Sequence, residues 1–167
     1  MGFLPSLDDA DLSPSARAAV DAYLVEHPGP LSSLERTLLV DPSVLAAYSG
    51  GDALRDQVVP YLGERAVNLF MYALSTACGA ALPVAEIRSA LAASGDNPDA
   101  PQVTETEQLL IDWARAIGAA PGGIAPELTA RVDEVFQPRL RLLLTALAGF
   151  VVATAVFAQV GQVEAGA

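Results

Sequence analysis

Cysteine, histidine and lysine supply most side-chain chemistry, and this sequence is nearly bare of them. It has one Cys, Cys78, and one His, His27, in 167 residues. One thiol excludes an intramolecular disulfide framework and a multi-thiolate metal site. One imidazole excludes a His-rich metal centre, so neither a metal nor another cofactor is expected. All nine basic residues are Arg, which removes Schiff-base lysine chemistry and the lysine of a phosphate-binding loop. Three candidate catalytic groups remain. Cys78 is a candidate nucleophile, Tyr72 a candidate acid or hydrogen-bond donor, and Glu86 a candidate general base.

Each candidate also has a structural reading. No Lys, His or Arg lies within a helical turn of Cys78, and Ala77, Gly79, Ala80 and Ala81 surround it in sequence. Apolar surroundings raise a thiol pKa and make it inert, whereas a helix N-terminus near Leu82-Pro83 would lower it. Glu86 is read in preference as a solvated first-turn carboxylate that offsets the helix dipole. Asn68, Tyr72 and Ser75 are spaced by four and three, so they share one helical face, with Thr76 beside them. Such a polar stripe either hydrogen-bonds inside a core or lines a pocket. In the pocket reading Asn68, Ser75, Thr76, Ala81 and Ala85 form the lining. His27, in His-Pro-Gly-Pro, is a turn residue, and Trp113 is a core anchor.

The elements that must position these groups are helices. Alanine occurs 31 times, and no stretch alternates as a strand does. Ser13-Pro14 starts a helix to Glu26, and Ser32 with Glu35 makes a capping box for the next. Asp41-Pro42 starts another that Gly50-Gly51 should stop, with one or two further turns before Pro60. An apolar helix should span about Leu62 to Cys78, and Pro83 to Ser94 another, closed by Gly95. Thr104 and Glu107 make a second capping box for a helix ending at Gly118. Pro126 to Phe136 and Pro138 to Val160 complete the set. The expected fold class is an all-α helical bundle. Residues 1–41 form an N-terminal helical arm, 42–163 the main domain and 164–167 a tail.

Charge sets the excluded partners. Twenty acidic against nine basic residues leave a net charge of −11. No basic patch exists to release counterions from nucleic acid or to hold an anionic membrane. The N-terminus matches a myristoylation pattern at Met1-Gly2, but a pattern this short arises by chance, and a plain starting arm is preferred. No secretory signal is read, so the expected location is cytoplasmic. Leu142 to Val160 is a run of 19 residues without a charge. It is long enough to span a bilayer. Thr145, Thr154 and Gln159 interrupt it and no aromatic belt flanks it, so a helix buried all round is preferred, partly covered by another subunit. Arg139 and Arg141, just before it, are candidates to pair with acids of that neighbour.

The segment from Arg65 through Cys78-Gly-Ala-Ala81-Leu-Pro-Val-Ala85 to Gly95 resembles the carboxymuconolactone decarboxylase and alkylhydroperoxidase D-like superfamily. Asp96-Asn-Pro-Asp-Ala-Pro, the helix from Thr104 to Ile117, and Asp133 to Arg141 with the apolar helix extend the resemblance over about residues 42–163. The family pattern is an apolar helix leading into Cys-x-x-Cys-x-x-x-His, then a helix ending at Gly. Here Cys78 stands at the first Cys, Ala81 at the second and Ala85 at the His. Ala66 stands where the family often has a Glu, and the nearest carboxylate is Glu64.

The resemblance implies a helical homo-oligomer that has lost the dithiol peroxidase site. That chemistry needs an attacking thiolate, a resolving thiol and a proton relay. The leading expectation is a protein that binds or transforms an apolar small molecule without a cofactor, by an isomerisation, cyclisation or lactone-type step. The alternatives are an active hydroperoxidase or decarboxylase-type enzyme using Cys78, and a non-catalytic oligomeric partner protein.

Overall fold

The computed structural model describes residues 3–8 and 10–163. The myristoylation pattern at Met1-Gly2 and the tail 164–167 lie outside them. The described residues form nine α-helices and one 3-10 turn, with no strand among them. The helices are α1 Pro14–Glu26, α2 Ser33–Leu38, α3 Pro42–Tyr48, α4 Gly50–Leu62 and α5 Glu64–Ala77. They continue as α6 Ala81–Ala93, α7 Glu105–Ala119, α8 Pro126–Val135 and α9 Pro138–Gly161, with the 3-10 turn at Pro121–Gly123. The chain divides into two compact units. One holds the chain up to Gly50 and from Phe157 onward, and the other holds Gly51–Val156.

Capping chemistry sets most helix starts. Ser13 caps α1, accepting from the Ala16 N–H at 3.1 Å. Both capping boxes form, Ser32 with Glu35 and Thr104 with Glu107. Two helix bounds differ from those read in the sequence. Gly50 begins α4 instead of ending α3, and α4 continues through Pro60. Pro60 sits in the last turn, where its missing N–H removes one bond, and the Gly63 N–H closes the helix on Val59 O at 2.8 Å. Helix α6 starts at Ala81, two residues before Pro83. A proline there is tolerated because first-turn N–H groups have no partner inside the helix.

Glycine C-caps end α5 and α6 in the same way. Gly79 and Gly95 adopt φ +68° and +90°, a region open to glycine at little cost. After α5 the Ala80 N–H bonds Ser75 O at 2.9 Å and the Gly79 N–H bonds Thr76 O at 3.0 Å. After α6 the Asp96 N–H bonds Leu91 O and the Gly95 N–H bonds Ala92 O, both at 3.0 Å. These are Schellman motifs, which satisfy the last carbonyls of each helix. They make Cys78 a helix C-cap and Asp96 the residue on which the chain leaves α6.

In the first unit Val20, Leu38, Leu39 and Leu45 form a small core, joined by Tyr48 and Phe157, whose rings lie 5.3 Å apart. His27 is less of a plain turn residue than the sequence implies, since its ring stacks on Tyr23 at 4.3 Å. In the second unit Val67, Phe70 and Leu74 of α5 are buried with Leu110 and Ala114 of α7, Leu91 of α6, and Leu144 and Leu147 of α9. Trp113 is a core residue, its ring 6.1 Å from that of Phe70.

Helix α9 is not buried all round. Leu140, Leu143, Leu144, Leu147, Ala148, Val151 and Ala155 face the core, while Leu142 is 70% exposed and Val156 53%. It is the one helix among the described residues long and apolar enough to cross a membrane, with mean hydropathy 2.1. Arg141 pairs with Asp133 of α8 in its own chain.

Helices α5 and α7 approach each other closely at Gly118. A Cβ built there would lie 2.7 Å from the Ala77 Cβ and 2.8 Å from Leu74 O. Leu74 O is backbone and already accepts the Cys78 N–H, so it cannot yield without moving α5. Gly118→Ala is expected to destabilise the protein by about 1–3 kcal/mol, the usual range for overpacking, despite alanine's better helix propensity. Urea unfolding of the variant beside wild type measures this.

Candidate functional site

The polar residues of α5 form one line along an apolar helix, and four other segments supply their partners. Arg65 opens the line. Its Nε and Nη2 donate to both carboxylate oxygens of Asp96, at 2.8 and 2.9 Å. Nη2 also donates to Gln102 O at 2.7 Å, and Nη1 donates to Glu107. One guanidinium thus ties the start of α5 to the loop after α6 and to the first turn of α7. Bidentate pairing of this kind is among the stronger protein hydrogen bonds. Asn68 accepts from Arg55 Nη2 of α4 at 3.4 Å, and the same nitrogen pairs with Glu64 at 2.9 Å.

Tyr72 follows, half-buried. Its Oη accepts from Arg88 Nη1 of α6 at 3.2 Å. Arg88 is itself clamped by Asp99, Nη1 to Oδ1 at 2.7 Å and Nη2 to Oδ2 at 2.5 Å. Ser75, next on the same face, is fully buried, and its hydroxyl has no hydrogen-bond partner. The stripe therefore splits. Asn68 and Tyr72 are bonded at the rim of the helix, while Ser75 is sealed in the core.

Cys78 lies at the end of α5, half-buried, with Sγ 3.9 Å from Gly118 O. Burial pushes its thiol above the ordinary value. The start of α6 at Ala81 does not reverse that direction. Thr76, Ala81, Ala85 and Glu86 are exposed. Because α6 starts at Ala81, Glu86 falls in its second turn, outside the first-turn position read for it. Tyr72 accepts from Arg88 of α6, and Cys78 Sγ approaches Gly118 O of α7. Ala66, at the family's Glu position, is buried, and Glu64 is paired with Arg55. Among the described residues no three His, Cys, Asp or Glu side chains group to hold a metal ion.

Sequence reading missed the Arg65 cluster and the role of Arg88. The available signals were a lone Arg at the head of an apolar helix and an acid directly after the glycine that ends α6. The pairing itself joins residues 31 and 42 positions apart, which spacing does not show. No protein-family model matches the sequence, and no curated protein and no solved structure matches the chain.

The cluster has a pH signature. Hydrogen bonds from Arg65 hold the Asp96 carboxyl below its ordinary 3.8. Burial opposes ionisation of Glu107, but the Thr104 N–H, Arg65 and the Thr104 hydroxyl outweigh it and hold that carboxyl below its ordinary 4.5. Lowered carboxylate pKa values stabilise the fold above the unfolded-state values, and that stabilisation is lost as pH falls through the folded ones. Arg65→Gln is expected to lower stability at neutral pH and to flatten its decline below about pH 4.5. Urea midpoints over an acid series read both effects, and parallel curves for the two proteins would contradict them.

Proposed function

We propose that this chain is a carboxymuconolactone decarboxylase-like protein that lacks the dithiol peroxidase site and binds or transforms an apolar small molecule without a cofactor. The observation that carries the first half is the state of Cys78. It is the only sulfur nucleophile in the sequence, it is half-buried against Gly118 O, and burial pushes its thiol up. A resolving thiol must approach within disulfide geometry, and Ala81 stands where the resemblance would put it. Ala85 stands where the proton relay would be. The second half is supported by the polar groups of Asn68 and Tyr72 at the edge of an otherwise apolar helix. A mainly apolar surface with a few aimed polar groups is the usual composition of a small-molecule site.

Two measurements on the purified protein test this reading. Organic hydroperoxide consumption with dithiothreitol is expected to match the free-thiol background and to be unchanged by Cys78→Ala. A Cys78-dependent rate well above background would instead favour the active peroxidase. Fluorescence of N-phenylnaphthylamine, an apolar probe, is expected to rise with saturation, and a flat response would overturn the binding half.

Self-association belongs to the same proposal. Leu142 and Val156 leave apolar surface outside on a helix segment with no charge, on a chain of net charge −11. Light scattering in detergent-free buffer is expected to give a multiple of 17.3 kDa. A stable monomer, or recovery only with membranes, would overturn it.

A further inference from the structure

We infer that residues 3–7 and the last turn of α9 form a latch on the small core of the first unit, and that this latch opens and closes as one piece while the second unit stays folded. The end of α9 closes as a Schellman motif. The Val163 N–H donates to Ala158 O at 3.0 Å and the Gln162 N–H to Gln159 O at 3.2 Å. The left-handed position of that motif usually holds glycine. Here Gln162 holds it, at φ +49°, and it is the one non-glycine residue at positive φ among the described residues. Glycine stands one position earlier, at Gly161.

Leu4 accounts for that displacement. A Cβ on Gly161 would lie 2.7 Å from Leu4 Cδ1 and 3.2 Å from its Cγ. The Leu4 N–H donates to Gly161 O at 3.0 Å, and a carbonyl in the last turn has no partner inside its own helix. The chain thus keeps glycine where the strap needs room and holds a strained residue where the turn needs freedom. A left-handed non-glycine residue persists only when its surroundings fix it. Gly161 O and the Gln162 N–H belong to one planar peptide unit. The strap bond and the turn bond therefore hold opposite sides of the same rigid plane.

The other end of the strap is tied to α2. The Leu7 N–H donates to Arg36 O at 3.2 Å, and Arg36 Nη1 donates to Leu7 O at 3.4 Å. Leu7 and Phe157 pack against the same core of Val20, Leu38, Leu39 and Leu45. Leu4 and Leu7 are only half-buried, and segments held by few bonds and half-buried side chains open before the rest of a fold. Because strap and turn share a peptide plane, release of one loosens the other, and opening uncovers the core beside Phe157.

Amide hydrogen exchange read by NMR on the whole chain tests the latch. The Leu4, Leu7, Gln162 and Val163 amides are expected to share one protection factor, well below those of Val67 and Leu110 in the second unit. Gln162→Gly relieves the turn and is expected to slow exchange at Leu4 about three- to tenfold, although Leu4 lies at the far end of the sequence. Leu4→Pro removes the strap's donor and is expected to speed exchange at Gln162 and Val163 about tenfold, leaving Val67 and Leu110 unchanged. Effects confined to the segment that carries each substitution would overturn the coupling. Equal acceleration at Val67 and Leu110 would show global opening and overturn the latch.

Discussion

Arg65, at the head of α5, donates four hydrogen bonds that join three segments of the second unit. Pairing offsets the cost of taking a guanidinium partly out of water. Asp96 and Glu107 provide the charges and Gln102 the remaining acceptor. Each comes from a different local device. A Schellman turn at Gly95 delivers Asp96, the loop after it delivers Gln102, and a capping box with Thr104 orients Glu107. At the opposite end of α5 the contact is steric, with Gly118 admitting the backbone of Leu74 and Cys78. One end of the α5–α7 pair is thus held by charge and the other by the absence of a side chain.

Between those ends the polar residues of α5 serve different purposes. Asn68 and Tyr72 reach outward to arginines of the neighbouring helices α4 and α6. Ser75 is buried with an unbonded hydroxyl, which typically costs about 1–3 kcal/mol. Cys78 is set by the helix end, and burial pushes its thiol above the ordinary value. Tyr72 accepts from Arg88, which Asp99 holds in turn.

Helix α9 shows how composition and exposure part company. Its sequence has no charge for 19 residues, yet only its Leu140–Leu144–Leu147–Val151 side meets the core. The opposite side carries Leu142, Ala146, Gly149 and Ala153, where small residues keep the apolar area modest. Near its start Arg141 pairs with Asp133 within the chain.

Local signals in the sequence determined the helical class and most helix bounds, because caps, boxes and prolines act within four residues of where they stand. The polar face of α5 was equally legible, since residues three and four apart must neighbour each other on a helix. Where local signals competed, tertiary structure decided. Gly50-Gly51 and Pro60 read as breaks, yet Gly50 begins α4 and the helix runs through Pro60. Glu86 and Tyr72 were both candidates, and packing puts Tyr72 beside Arg88 and Glu86 on an exposed turn of α6. The partners of Arg65 and Arg88 lie on segments brought together only by the burial of Phe70, Leu91 and Trp113. Pairing across 31 or 42 residues depends on how helices pack, and packing is a property of the folded chain that no short window of sequence contains.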